Sequence, residues 1–558
     1  MPRTIRGALD FVFISIKEYK LISDSSLNEI LLSSIGSTLL LFGGLVLGFA
    51  LLMGVFMYMM RQTIIVMSRL IEYDMRNEIY SHYSKMDLKF FKQNKTGDLM
   101  ARISEDVSKV RMYLGPALLY FINLVSLFVI VIFSMFSVNL ELTLWTLLPL
   151  PILSISIYVV SNIINKKSAI IQKQLSVLNS QAQEVYSGIR VIKSYVKEKQ
   201  FISYFDRESE DFKGKSLELA RVNALFFPLM ILLISISTLL TLYVGGIQIQ
   251  NGVISPGNIA EFIIYVGMLT WPITALGWIA SLVQQASASQ ERINEFMNVE
   301  PEILDSSGEE VPTNFGGITF DNVNFTYPET KVEALRNVSF SLNKGEKLAI
   351  VGKTASGKST IAELLVRMYD VAEGKIEIGG IDIRKMSLSD LRKRIAYVPQ
   401  DVFLFSDTIS ENIQFGLDKD LSPEEVHLAA ELSAIHHDIM DLTDAYNTVV
   451  GERGVTLSGG QKQRISLARA LIKNPDIILL DDCLSAVDAS TENQIVNSLN
   501  TTLKGKTTII ITHRIHAQMK YDKVIILQDG TIAEMGTPSE LSKPGSLFFE
   551  LINHEVKT

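Results

Sequence analysis

At 558 residues the chain is long enough for several domains, and its apolar share of 47% matches an ordinary soluble protein, so the average conceals how the residues are distributed. A net charge of −8 with no compensating basic stripe argues against a nucleic-acid partner, and the single cysteine, Cys483, excludes an intrachain disulfide.

The first apolar stretch, Ala8 to Ile16 in MPRTIRGALDFVFISI, is broken by Asp10 and has no small-residue cleavage site, so it does not read as a secretory leader. Five uncharged runs follow: Ile30–Met60, Met112–Leu140, Leu142–Asn165, Val222–Ala260 and Phe262–Gln290. Each exceeds the ~20 apolar residues that cross a bilayer. The predicted spans are 32–60, 114–137, 142–164, 223–246 and 260–283, within a helical transmembrane domain 1–295. Ten Lys/Arg lie from Arg61 to Arg111 and eleven from Lys166 to Arg221, while the short connections near Asn139 and Gln250 carry none. By the positive-inside rule the two basic segments face the cytoplasm. Their helical periodicity, as in MRNEIYSHYSKMDLKFF, predicts helices that continue well past the membrane surface. With the water-soluble half also inside, counting back through five spans puts residues 1–29 outside. We read them as the outer end of a first span whose body is absent, a sixth span restoring the parity. The other reading is a short amphipathic helix at the outer surface of a true five-span protein.

After Glu291 the apolar runs stop, and a linker, 296–316, leads into a water-soluble α/β domain, 317–556. There LAIVGKTASGKSTIAELLV gives a strand, a tight loop and an amphipathic helix, and fits G-x-x-x-x-G-K-[ST] from Gly352 through Lys353, Thr354, Ala355, Ser356, Gly357 and Lys358 to Ser359. Glycines let the loop turn its amides onto phosphate oxygens, and the helix beginning near Lys358 and running through Thr360 adds its positive end. Lys358 reaches the β/γ-phosphates of ATP, and the Ser359 hydroxyl is placed on Mg²⁺. About 120 residues later, Ile477–Leu480 reads as a strand covered on both faces that delivers Asp481 to the same Mg²⁺. Asp482 follows at once.

Between these motifs lies LSGGQKQRISLARAL, whose Leu457, Ser458, Gly459, Gly460 and Gln461 are the signature pentapeptide of the ABC transporter family. The chain resembles that family, and the resemblance implies an α/β P-loop ATPase domain with a helical subdomain. Ser458 and the two glycines stand at a helix start, an anion site that in the family closes over ATP bound to the facing subunit. The resemblance assigns Tyr327 in NVNFTYP to adenine stacking and Gln400 in YVPQD to Mg²⁺ and the attacking water. It places Glu452 in VGERG in the cross-talk loop, Asp488 in SAVD in the loop exchanged between domains, and His513 in IIITHR as the histidine that senses the γ-phosphate. Taken singly each is ordinary: Tyr327 as a turn aromatic, Gln400 as a solvated loop residue, His513 as a satisfied strand-end histidine. Their joint order carries the assignment. FFKQNKTGDLMARISEDVSKVR and QEVYSGIRVIKSYVKEKQFISYF are similar to the two intracellular loops of exporters that fuse spans to one ATP-binding domain.

Three positions depart from the family pattern. Ala355 stands where exporters carry Gly, at a cost of about a kcal/mol if the backbone there needs φ > 0. Cys483 replaces an Ala and reads as a small apolar residue. Asp482 replaces the Glu that polarises water and is shorter by about 1.5 Å of chain. Positioning errors near 1 Å can lower a rate about 100-fold, so the site built on this phosphate loop should bind ATP and hydrolyse it slowly. An intact signature beside a shortened acid resembles one member of the heterodimeric exporters, whose partner is a different chain with Glu after its Mg²⁺-binding Asp. A homodimer that works with Asp is the alternative. No span carries a charge at its centre, so a hydrophobic or amphipathic cargo, a drug or lipid moved across the cell membrane, fits better than a small ion. A different class of function, a nucleotide-sensing regulatory subunit that moves nothing itself, needs no intact signature.

Overall fold

The structure, a computed structural model, describes residues 1–20, 25–305, 312, 314–417, 421–451, 456–513 and 518–550. It forms two compact units, Met1–Tyr83 with Gly97–Val299, and Ser84–Thr96 with Glu300–Thr558. The segment Ser84–Thr96, which the sequence reading kept within the membrane domain, clusters with the second unit.

The first unit is helical. Among the described residues five helical runs are long and apolar enough to cross a membrane: Leu32–Lys85, Thr96–Val138, Leu140–Ser187, Glu198–Gln250 and Pro256–Met297. The 53 residues of Glu198–Gln250 extend about 80 Å, far beyond a hydrocarbon core of about 30 Å. The uncharged connections are where helices stop and restart. Asn139 caps the helix after it by accepting from the Leu142 amide at 2.9 Å. Ser255 and Asn258 form a capping box in front of Pro256. Two π-helical turns, Arg102–Asp106 and Tyr113–Ala117, interrupt the run Thr96–Val138; the second contains Pro116, which has no N–H for the α-helical ladder.

Polar contacts join these helices where apolar packing alone specifies little. Thr146 and Thr241 hydroxyls meet at 2.9 Å, and the Ser237 hydroxyl donates to the Thr146 carbonyl at 2.6 Å. The helix Pro2–Tyr19 is tied to Pro256–Met297 through Asp10, which accepts from the Ser255 hydroxyl at 2.7 Å and the Gly257 amide at 2.8 Å. Large apolar side chains such as Leu40, Phe133 and Leu225 face outward, as on a lipid-covered surface.

Among the described residues the second unit has ten strands. Ile318–Thr326 (β1), Glu333–Leu342 (β2), Glu373–Ile378 (β4) and Ile381–Asp382 (β5) make an antiparallel sheet ordered β2-β1-β4-β5. A second sheet is ordered β10-β9-β3-β8-β7-β6, from Lys347–Gly352 (β3), Ile395–Val398 (β6), Ile477–Asp481 (β7), Thr507–Thr512 (β8), Lys523–Gln528 (β9) and Thr531–Gly536 (β10). All its pairs are parallel except β9–β10. Its central strands are covered on both faces, which is why IILLD and TTIIIT read as continuous rather than alternating apolar runs. A separate core of Ile409, Ile413, Val426, Ala430, Ile439 and Ile465, with others, marks a helical subdomain.

Candidate functional site

Strands β3, β8 and β7 are neighbours, and all three end on the same side. Val351 pairs with Thr512 and Asp481 with Ile511, so the loop after Gly352, the residues Thr512–His513 and the acids Asp481–Asp482 come out together. Ligands in open parallel sheets bind outside such carboxyl ends. A cleft of about 490 Å³ lies there, lined by Thr354, Ala355, Ser356, Gly357, Lys358, Ser359, Thr360, Tyr327, Gln400, Asp481, Asp482 and His513. Gly352 and Lys353 do not line the cleft, and their carbonyls accept from the Lys358 ammonium at 2.9 and 2.7 Å.

Gly357 holds φ +97°, and a Cβ there would meet the Ala334 carbonyl oxygen at 2.3 Å, so only glycine fits. Ala355 has φ +65°, the left-handed conformation that an alanine pays for in backbone strain. The Ser356 hydroxyl is buried with no hydrogen-bond partner, and the Ser359 hydroxyl bonds the Asp481 carboxyl. An unpaired hydroxyl in a cradle of amides fits a phosphate, and a hydroxyl beside a carboxylate fits Mg²⁺. Burial pulls the Lys358 ammonium below its usual range, opposed by the charges of Asp481 and Asp482. Burial pushes the Asp481 carboxyl above its own range, helped by Asp482. A bound cation and polyphosphate would relieve both penalties.

Asp482 adopts φ +47°, with its amide donating to the Ile511 carbonyl at 2.8 Å. Its carboxylate lies 2.9 Å from His513 Nδ1. Tyr327 also lines the cleft, its hydroxyl 2.9 Å from both the Thr360 hydroxyl and the Glu363 carboxylate.

The signature residues stand apart: none of Leu457–Gln461 lines this cleft, nor does Asp488. Leu457 is buried, and Ser458 is the N-cap of the helix Gly459–Ile472, its hydroxyl accepting from the Gln461 amide while Gln461 Oε1 accepts from the Ser458 amide. Gly460 lies against the chain after β7, where a Cβ would meet the Ala486 carbonyl oxygen at 2.6 Å. Asp488 caps the helix Ala489–Thr502, and hydrogen bonds from Ser490 and Thr491 hold its carboxyl well below the usual range. Glu452 lies outside the described residues.

Several residues reach the site without having been anticipated. Arg336, Asp529 and Gly530 line the cleft; the Asp-Gly turn between β9 and β10 is a hairpin signal that could have placed two of them. The Lys92 ammonium lies 5.2 Å from the rings of both Tyr327 and Tyr369. Gln463 ties the signature helix to the segment after β7, donating to the Ser485 hydroxyl and accepting from the Ala486 amide, each at 3.2 Å.

Comparison with known proteins agrees with this arrangement. Residues 16–273 match the family model described as ABC transporter transmembrane region, and residues 335–485 the model described as ABC transporter. The chain is 37% identical over 475 residues to the probable multidrug resistance ABC transporter ATP-binding/permease protein YheI of Bacillus subtilis, covering 85% of this chain and 81% of that one. It is 37% identical to the multidrug resistance-like ATP-binding protein MdlA of Escherichia coli, over 86% of this chain and 82% of that one. An ATP-dependent lipid A-core flippase of Syntrophus aciditrophicus is 32% identical over 87% of this chain and 80% of its own length. A solved bacterial Atm1-family ABC exporter with ATP bound superposes with a TM-score of 0.75 at 26% identity, over 99% of this chain and 97% of that one. The chain therefore belongs to the ABC transporter family, as an exporter with fused transmembrane and ATP-binding domains whose second unit is an ABC-type ATPase.

Proposed function

We propose that this chain is one half of a dimeric exporter that uses ATP to move an apolar or amphipathic molecule across the membrane, with the ATP-binding unit in the cytoplasm. Its own phosphate loop forms the slower of two unequal sites. The reading is supported by the multidrug and lipid A-core names of its relatives and by the uncharged centres of its spans.

Lys358 and the loop amides bind the phosphates, and Tyr327 stacks on the base. Ser359, Gln400 and Asp481 would hold Mg²⁺, which supplies neutralising charge at the β- and γ-phosphates. Asp482 is the residue that orients the attacking water, and His513 holds that carboxylate. The observation that carries the proposal is the shortened acid itself: Asp482 spends its reach on His513, 2.9 Å away, and lacks the methylene that would carry it toward the phosphate. The signature, which does not line the cleft of its own chain, serves ATP held by the partner, a second exporter half with Glu at the equivalent position. ATP that bridges both chains favours the closed pair of ATP-binding units, and its hydrolysis at the competent site resets the cycle.

Asp482→Glu in the assembled pair tests this directly. Steady-state ATP turnover should rise; an unchanged rate would show that Asp482 is not the limiting group.

A further inference from the structure

The signature helix is held from outside by a carboxylate that no motif names. Asp438 lies in the short helix His436–Met440. Its Oδ1 accepts from Gln461 Nε2 at 3.1 Å and from Arg464 at 3.2 Å, and its Oδ2 accepts from Arg464 at 2.8 Å. Arg464 also donates to the Ala434 carbonyl just upstream. The short helix is itself anchored, with Ile435 and Ile439 buried in the helical-subdomain core and His436 Nδ1 at 2.7 Å from the Tyr446 hydroxyl.

A carboxylate only accepts, so it dictates which end of the Gln461 amide faces it. With Nε2 committed to Asp438, Oε1 is the end presented to the Ser458 amide, 3.0 Å away. The Ser458 hydroxyl in turn accepts from the Gln461 amide at 3.2 Å, closing the capping box. The chain of contacts therefore runs from Asp438 through Gln461 to the first turn of the signature helix. The guanidinium of Arg464 and the Gln461 amide together outweigh the effect of burial and keep the Asp438 carboxyl below its ordinary range, so it is an acceptor at neutral pH.

We infer that Asp438 is a positioning residue for ATP turnover, fixing the orientation of Gln461 and through it the Ser458–Gly460 amides that meet the partner-bound phosphate. This rests on the reading that the signature serves the partner's ATP. Asp438 is not among the residues that line this chain's cleft.

The test uses the full-length assembled transporter in membranes, with Ser458→Arg as the control for the signature. Asp438→Ala should lower steady-state ATP turnover on the order of 10-fold to 100-fold. Photolabelling of this chain's own phosphate loop by azido-ATP should be unchanged. Gln461→Leu should cause a similar loss, and the double variant should be no worse than the more severe single one. If Ser458→Arg stops turnover while Asp438→Ala does not slow it, the inference about Asp438 fails alone. If Ser458→Arg is also harmless, the signature reading beneath it fails. Losses that multiply in the double variant, or a parallel fall in photolabelling, would show general damage and overturn the positioning role. Should Asp438→Ala not accumulate, the near-isosteric Asp438→Asn carries the same comparison, because its amide permits the Gln461 group to flip.

Discussion

At one edge of the ATP-binding unit, the ends of β3, β7 and β8 bring Lys358, Ser359, Asp481, Asp482 and His513 to one cleft, yet two positions are compromised. Ala355 occupies φ +65°, and Asp482 offers a short side chain from φ +47°. At the other edge, the signature helix starts with a complete capping box, two glycines and a second tier of support from Asp438, Arg464 and Gln463. Asp is among the few L-residues that visit the left-handed region routinely, so the backbone at position 482 suits the residue even though its reach does not. On the proposed function, the difference between the edges is that between a site suited to holding nucleotide and a helix start suited to completing a partner's site.

The sharpest way to break this comparison is at the well-built edge. Ser458→Arg should nearly abolish ATP turnover in the assembled pair, since it blocks the competent site; surviving turnover, read by phosphate release, would mean the roles are assigned wrongly. At the compromised edge, Lys358→Ala removes a charge-assisted contact worth about 1.5–3 kcal/mol. Azido-ATP labelling of this chain should weaken roughly 10-fold to 100-fold, with a smaller effect on total turnover than Ser458→Arg.

Ala355→Gly relieves the φ +65° conformation and should stabilise the folded unit by about 1 kcal/mol in a thermal melt; an unchanged midpoint would show that the loop relaxes around Ala355. The smallest effect is expected at Cys483. Burial pushes its thiol up to about 12, so at pH 8 the reactive thiolate is scarce. Maleimide should leave the native protein unlabelled and modify it once urea unfolds it.

The strands that frame the cleft were legible because burial on both faces leaves a plain apolar run, and the helix starts were legible because caps and glycines are local chemistry. Ser458, Gly357 and Asp481 could each be placed from a few neighbouring residues. The supports could not. Asp438 meets Gln461 across 23 positions and Lys92 meets Tyr327 and Tyr369 across far more, and neither contact leaves a trace in the local sequence. The assignment of Ser84–Thr96 to the second unit is likewise a matter of tertiary packing: LKFFKQ forms its own short helix, and Leu88 beds against the core of that unit.

The central claim, that this chain's own phosphate loop hydrolyses its ATP more slowly than its partner's, is tested most directly by following the nucleotide on each chain separately. The assembled pair is loaded with radiolabelled azido-ATP, photolabelled during turnover, and the nucleotide attached to each chain is identified. The account predicts ATP on this chain and ADP accumulating on its partner. ADP appearing on this chain as fast as the pair turns over would contradict it.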